Sequence, residues 1–250
     1  MSPSATEAFF ASRAMQALEV LAFGPSTATR VADELQVHPR TARRLLNRMV
    51  HDGWLIRRDG PRPTYTPTLR IVALAAQLAQ RAPLVRHGLE VTSELHADTG
   101  WDVHLAVPSY RSALRLVRAT GAEDAVPALR DLAPAHAIAA GKLLLAFREP
   151  WRDAVLAAPL TAVTARTVTD PLALRAELER ARRHGFAVEN AEFRAGVRAV
   201  AVPVIGEGGE VVAALAVSAG EVELEVLVER REPLSAAAAA LGTRLDGAAT

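Results

Sequence analysis

Apolar positions recur at helical spacing over residues 6–23, where Phe9, Phe10, Ala14, Ala17, Leu18 and Leu21 form one stripe. "GPS" at 24–26 ends that helix. Thr27 is placed to cap a second, short helix whose Val31, Ala32 and Leu35 face inward. After a break at Gln36 and Val37, a third helix begins with His38 as N-cap and Pro39 in the first turn. Within it Ala42, Leu45, Leu46, Met49 and Val50 follow i, i+3, i+4, i+7, i+8, the stripe of a helix docked on a core. Arg40, Arg43, Arg44, Asn47 and Arg48 occupy the other face, and Gly53 closes the helix. Two short strands, 54–58 and 64–66, flank a turn, "DGPRP", that bears Arg62.

Beyond this point the pattern changes. Thr68 is expected to cap a helix that ends before Pro83. Leu69, Ile71, Val72, Leu74, Ala75 and Leu78 leave it apolar around most of its circumference. Such a helix needs cover. A second copy of the same helix is the economical partner, and packing on its own domains is the alternative. A further helix is expected over 84–97, then a hairpin of strands 101–107 and 112–118 turned by "PSYR". "AHAIAAGKLLLAF" (135–147) reads as one buried helix. "DPLALRAELERARRHG" (170–185) carries Asp170 as N-cap, Pro171 at N1 and Gly185 at C′. "FAV" at 186–188 is a short strand, and "VRAVAVPV" and "VVAALAV" are strands joined by "IGEGGE". "PLSAAAAALGTRL" is the last helix. Irregular alternation with clear hairpins predicts an α+β chain whose C-terminal part is a mixed, largely antiparallel sheet flanked by helices.

Charge adds to this picture unevenly. The 250 residues carry a net charge of +1, but residues 1–80 hold ten arginines against six acids, and residues 38–58 hold six arginines against one. A basic patch on a near-neutral chain points to an anionic partner. Helix, helix, turn, helix and a two-stranded ribbon is the order of a winged helix-turn-helix, in which the second helix of the pair enters the major groove. On that reading the arginine front of the third helix meets double-stranded DNA. Arginine can reach guanine, Asn47 adenine, and neighbouring arginines the phosphates, while Arg57, Arg58 and Arg62 on the wing touch flanking backbone. Thr27, His38, Pro39 and Thr41 complete the expected DNA-contacting set. The alternative is a small enzyme with an incidental basic helix, but the sequence holds neither a nucleophile elbow nor a metal cluster. Cysteine is absent and no run of about 18 apolar residues occurs, so a membrane span is not expected. The start of the chain lacks signal-peptide character, and a cytoplasmic location is expected.

Three stretches carry a family resemblance. They are "HPRTARRLLNRMVHDGWL", "HAIAAGKLLLAF" and "RRHGFAVENAEFRAGVRAVAVPVIGEGGEVVAALAVS" (182–218). Together they are similar to the recognition helix, the Gly-Lys helix and the C-terminal signature of IclR-type transcriptional regulators. Phe186 stands where the commoner residue is Tyr, and "ENAEF" is less acidic than the usual loop. The resemblance implies a winged-helix domain (1–66), a linker helix (67–82) and a GAF-like effector-binding domain (83–250). It implies a ligand-responsive regulator, most simply a repressor, that binds palindromic operators as a dimer or dimer of dimers. It also implies an effector pocket using Glu189, Asn190, Val197, Ala199, Val217 and Ser218. Of these, Val197, Ala199 and Val217 would form an apolar wall, and Ser218 and Asn190 would fix orientation. The small Ala139, Ala140 and Gly141 would let a ligand carboxylate approach a helix N-terminus. Glu189 restricts the ligand to one carboxylate, with a hydroxyl or amine facing it. No cofactor, metal or catalytic residue is expected. Four further features read as structural. His104 could face a ligand but reads better as a satisfied histidine. Lys142, the single lysine, suits a structural or anion-binding role. Glu189 and Glu192 form an acid pair with no nucleophile nearby, and "GEGGE" is a hairpin turn rather than a phosphate loop.

Overall fold

The computed structural model describes residues 5–22, 24–121, 123–127, 132–220 and 222–247, with side chains of all but 5–12 and 123–127. The chain divides into two compact units, Met1–Arg81 and Ala82–Thr250.

In the smaller unit, α1 (Ala5–Leu21), α2 (Ala28–Leu35) and α3 (Pro39–His51) pack beside a three-stranded sheet. That sheet has the order β1 (Ser26–Thr27), β3 (Thr64–Pro67), β2 (Leu55–Arg58). Strand β1 has no apolar alternation of its own and is not anticipated by the pattern; it pairs Ser26 with Tyr65. The core joins Ala17 and Leu21 to Val31, Leu35, Leu45, Leu46, Met49, Leu55 and Tyr65. The expected core positions Phe9 and Phe10 lie outside the described side chains. Thr27 caps α2 by accepting the Arg30 N–H at 3.3 Å, and His38 caps α3 by accepting the Arg40 N–H on Nδ1 at 3.2 Å. Gln36 makes the turn between the two helices with φ 53°, and Gly53 leaves α3 with φ 77°.

Helix α4 (Leu69–Gln80) follows. Thr68 stands at its N-cap, but its hydroxyl donates to the Gly53 carbonyl at 3.0 Å instead of capping α4. Arg70 fixes the same corner: it donates to the Asp52 carbonyl at 3.1 Å and lies 4.1 Å over the Trp54 ring. No residue of α4 is buried, and Leu69, Val72, Leu74 and Leu78 are 82, 62, 45 and 62 % exposed.

The larger unit is a seven-stranded antiparallel sheet between two helical layers. Its strands are β4 (Asp102–Ser109), β5 (Ser112–Thr120), β6 (Glu123–Pro127), β7 (Leu132–Pro134), β8 (Ala187–Asn190), β9 (Val197–Ile205) and β10 (Val211–Gly220). The order is β6-β5-β4-β10-β9-β8, with β7 pairing β5 as well. The hairpins β4–β5 and β9–β10 are as the alternation implies, and "GEGGE" closes the second with Gly206 and Glu210 hydrogen-bonded at 2.9 Å. On one face α5 (Pro83–Thr99) and α10 (Glu232–Asp246) cover large side chains: Val103, Leu105, Val117, Val200, Val202, Val204, Leu215 and Val217. On the other face α6 (Ala139–Phe147) and α8 (Pro171–His184) cover small ones: Ala106, Ala199, Ala201, Ala214 and Ala216. The alanines let α6, apolar on nearly every side, sit close to the strands.

The segment 135–147 is not one helix. A 3-10 turn (Ala135–Ala137) breaks at Ile138, whose backbone is extended, before α6 starts. Gly141 makes room for this: the Ala135 backbone lies where a Cβ would be, so the turn can fold back onto the first turn of α6. Strands β6 and β7 and the short helices α7 (Glu149–Leu156) and α9 (Leu224–Glu229) carry no strong periodicity and are additions to the expected order. Asp170 and Gly185 cap α8 as their types imply. The Asp170 carboxylate accepts the Leu172 and Ala173 N–H groups, and Gly185 takes φ 74°.

Candidate functional site

Two sites emerge, one in each unit. In the smaller unit, α3 turns Ala42, Leu45, Leu46 and Met49 into the core and leaves Arg40, Arg43, Arg44, Asn47 and Arg48 exposed. Pro39 is exposed and Thr41 half-buried at the leading turn. Thr27 is half-buried with its oxygen engaged as a cap, and His38 has Nδ1 engaged likewise while its ring is exposed. Arg57, Arg58 and Arg62 are exposed on β2 and the β2–β3 turn. Arg57 pairs with Asp59 at 2.8 Å, and Arg48 with Asp52 at 3.0 Å. Both pairs are solvated and weak, so they orient the guanidiniums without consuming them. Asn47 differs from expectation. Its side-chain oxygen accepts the Tyr65 hydroxyl at 3.0 Å, which takes up half of the donor–acceptor pair an adenine edge requires. Asn47 thereby ties α3 to β3.

In the larger unit the sheet face under α6 collects the polar groups. The register sets them in rows. Asp102, Ser218, Ala199 and Glu189 lie across β4, β10, β9 and β8, and the next row holds Arg118, His104, Ala216, Ala201 and Ala187. Arg115 pairs with Ala106 one step further on. Val197 shares the face of Ala199, two residues along β9. Two of the expected pocket residues do not share it. Val217 lies on the opposite face, packed with Leu227 and Leu234, because side chains alternate along β10 and Ser218 takes the α6 side. Asn190 likewise departs from Glu189: its oxygen accepts from Arg198 Nε at 3.3 Å, and it lines a separate 340 Å³ recess with Lys142, Phe186 and Glu192.

Ala139, Ala140 and Gly141 are the first three residues of α6 and are buried. The missing Cβ of Gly141 accommodates Ala135 rather than a ligand. The N-terminal N–H groups of this helix already face an acid of the chain. Glu189, buried, accepts the Phe193 N–H at 3.1 Å and also hydrogen-bonds the Ala139 backbone. Burial, more than those bonds can offset, pushes the Glu189 carboxyl up to about 7, and the neighbouring Glu192 adds to the rise.

Lys142 is structural. Its buried ammonium donates to Glu177 at 2.7 Å and to Glu192 at 2.6 Å, which joins α6, α8 and the loop after β8. The paired acids Glu189 and Glu192 thus have separate partners. His104 is buried, and its Nε2 has no hydrogen-bond partner among the described residues, contrary to the satisfied histidine expected. Burial first, then the charges of Arg115 and Arg118, lower its pKa to about 3, so the ring is neutral. Sequence reasoning passed over both arginines. Their position opposite His104 on a predicted hairpin was the available signal. Among the described residues no group of three or more acids and histidines is placed to hold a metal, and no helix is long and apolar enough to cross a membrane.

Residues 76–242 match the family model described as bacterial transcriptional regulator IclR C-terminal. The chain is 31% identical over 214 residues to the probable transcriptional regulator SauR of Cupriavidus necator, covering 82% of this chain and 83% of that protein. It is 28% identical over 200 residues to the regulator KdgR of Escherichia coli, covering 76% and 73%. Among solved structures, a putative IclR regulator from Silicibacter sp. TM1040 superposes with TM-score 0.79 at 30% identity, over 94% of this chain and 96% of that one. An IclR homolog from Microbacterium hydrocarbonoxydans, complexed with 4-hydroxybenzoate, superposes with TM-score 0.77 at 28% identity, over 94% and 98%.

Proposed function

The chain belongs to the IclR family of bacterial transcriptional regulators, and on that premise we propose that it is a cytoplasmic repressor whose grip on operator DNA is set by a small carboxylate. It is a ligand-responsive regulator. The observation that carries the DNA-reading surface is the division of α3, with an apolar back buried and Arg40, Arg43, Arg44 and Arg48 exposed on the front. That helix enters the major groove, and Arg57, Arg58 and Arg62 follow the phosphates beside it. Thr27, His38, Pro39 and Thr41 present the leading turns of α2 and α3 to the backbone, where helix N-terminal N–H groups favour phosphate.

The active species is a homodimer or a dimer of dimers on a palindromic site. Support comes from α4, whose Leu69, Val72, Leu74 and Leu78 are exposed together on one helix and form an apolar surface that calls for cover. A second α4 matches that surface in length and chemistry. Two heads about one helical turn apart then meet two half-sites. The effector sits on the sheet face under α6, near Glu189, Val197, Ala199 and Ser218, at the edge of the first turn of α6 that holds Ala139, Ala140 and Gly141. The 4-hydroxybenzoate bound by the Microbacterium relative supports a monocarboxylate with a hydroxyl.

The test is a gel shift on the DNA upstream of the protein's own gene. Arg43→Ala with Arg44→Ala should abolish specific binding while the unfolding temperature stays put, because both side chains lie opposite the buried stripe. Each bidentate base contact contributes about 1–3 kcal/mol of discrimination. A double variant that shifts the operator like wild type rules out α3 as the reading helix.

A further inference from the structure

We propose that the recess along the free edge of β8 binds a dipeptide with a free ammonium, a free carboxylate and an apolar side chain. This recess is separate from the sheet face under α6, and the inference holds whether or not the chain reads DNA.

The recess has a volume of 340 Å³, at the small end of the range for ligand pockets, about 300–1,000 Å³. Strand β8 is the last of its sheet and, among the described residues, pairs with β9 alone. On such an edge every second residue points its N–H and C=O out of the sheet. The phase is fixed by Ala191, whose N–H donates to the Val197 carbonyl at 2.9 Å. Glu189 and Ala187 therefore bond to β9, while Val188 and Asn190 point outward. The outward N–H of Asn190 is accepted by Glu192 at 3.3 Å. Val188 lines the recess, and its N–H and C=O offer one donor and one acceptor to an extended backbone laid beside β8.

Charge follows the same line. Glu192 stands at the Asn190 end, buried, with Oε1 accepting from the Lys142 ammonium at 2.6 Å. Its Oε2 lies beside the same ammonium but has no hydrogen-bond partner among the described residues. Buried polar atoms are nearly always paired, so this oxygen is an acceptor in want of a donor. Along α8 come Glu177, Arg180 and His184, about one turn apart, which leads from Lys142 to the Phe186 end. Lys142 also donates to Glu177 at 2.7 Å, and Arg180 lies 3.8 Å from the same acid. Lys142 and Arg180 thus balance Glu177 and Glu192, and an occupant with a net charge would be left uncompensated. A zwitterion would not: its ammonium meets Glu192, and its carboxylate meets Arg180 and His184. The Arg180–Glu177 contact is solvated and longer than a hydrogen bond, so a carboxylate displaces it at little cost.

Length selects among zwitterions. Residues 188 and 190 are about 7 Å apart along a strand, and an extended dipeptide spans the same distance. A single amino acid holds its two charges too close together to reach both ends. Phe186, Leu224 and Ala181 form the apolar wall, and the Arg231 guanidinium, 4.7 Å over the Phe186 ring, steadies it. The loop that carries Glu192 into the recess also carries Phe193, whose N–H Glu189 accepts at 3.1 Å, so one short loop joins the recess to the face under α6.

The experiment is calorimetry on the full chain with Ala-Leu, Leu-Ala, Leu-Leu and Ala-Phe. Each is compared with its N-acetyl and C-terminal amide forms, and with free leucine and phenylalanine. At least one free dipeptide should bind saturably. Acetylating its ammonium or amidating its carboxylate should weaken binding at least about tenfold, as expected when a charge-assisted hydrogen bond is lost. The free amino acids should bind at least about tenfold more weakly than the dipeptide. Arg180→Gln, a change at an exposed position, should weaken the free dipeptide and leave the amide form unchanged, and Leu224→Trp should fill the recess and abolish binding. The wild-type panel decides the matter even if a variant fails to fold. A panel in which no dipeptide binds overturns the proposal, as does binding that tolerates both end modifications. Leucine or phenylalanine bound as tightly as the dipeptide overturns the two-residue span. A dipeptide that binds Arg180→Gln and Leu224→Trp like wild type sits elsewhere, and the recess is then not its site.

Discussion

Lys142→Met is the most informative single change in the larger unit. The ammonium bridges Glu177 at 2.7 Å and Glu192 at 2.6 Å, and the three side chains are 3, 28 and 8 % exposed, in that order. Methionine nearly matches lysine in length, so little cavity opens and the packing cost stays small. What remains is Glu192, buried with its counter-charge removed. Breaking a buried pair from one side costs about 3–5 kcal/mol. Glu177 adds little, since it is partly solvated and has Arg180 at 3.8 Å. In a chain of this size each kcal/mol lowers the unfolding temperature by about 2–4 °C, so the transition of the larger unit should fall by about 10 °C. Adding Glu192→Gln should recover most of that loss. It removes the stranded charge and keeps an oxygen for the Asn190 N–H, which Glu192 accepts at 3.3 Å. Scanning calorimetry of wild type, single and double variants measures both effects. A single variant within about 1 kcal/mol of wild type, or a double variant no better than the single, refutes the claim that this lysine holds a buried charge network.

Three further outcomes are expected. Leu74→Glu with Leu78→Glu should convert a dimer to a monomer by light scattering and weaken operator binding, while the calorimetric transition of the larger unit stays within 1–2 °C; an unchanged mass rejects α4 as the interface. Glu189 has a folded pKa raised to about 7, so its contribution is fully present below its unfolded value near 4.5 and is lost as pH rises to about 7. Glu189→Gln should therefore be more stable than wild type at pH 8, by about 2–3 kcal/mol, and equal to it near pH 4.5. His96 points Nδ1 at the Trp101 carbonyl and Nε2 at the Gly121 carbonyl, so both bonds need the imidazolium, and these bonds raise its pKa. The tie between the end of α5 and the β5–β6 turn is then present at low pH and lost as pH rises past the raised value. His96→Gln should flatten the wild-type stability slope just above pH 6.5, and a wild-type slope that survives the change places the titrating group elsewhere.

Where the sequence alone was sufficient, one physical signal dominated. The third helix is legible because its caps and its stripe agree: His38, Pro39, Ala42, Leu45, Leu46, Met49 and Gly53 all specify one helix with one buried side. The same agreement of Asp170, Pro171 and Gly185 fixes α8. Segments with no such agreement were missed. The run 135–147 is apolar throughout, and an apolar run gives no sign of a break. The turn at Ile138 brings the Ala135 backbone against Gly141, a short-range tertiary contact that the absence of a Cβ allows. Strand β1 exists because β3 offers it an edge, not because two residues prefer to be extended.

The ligand-facing sheet shows the same limit more sharply. Motif position groups Val217 with Ser218 and Glu189 with Asn190, but in a strand adjacent residues face opposite ways. Once β9 and β10 are recognised as strands, Ala199 cannot share a wall with Val217 unless the register slips by one, and Ser218 opposite Ala199 shows that it does not. Alternation alone would have corrected the set, and it would have put His104 with Ala106 on one side of β4. It could not have said which side. That choice follows from volume: the α6 side carries alanines and the α5 side carries valines and leucines, so the bulky helix α6 has room only over the small residues. His104, Arg115 and Arg118 thereby fall on the α6 side.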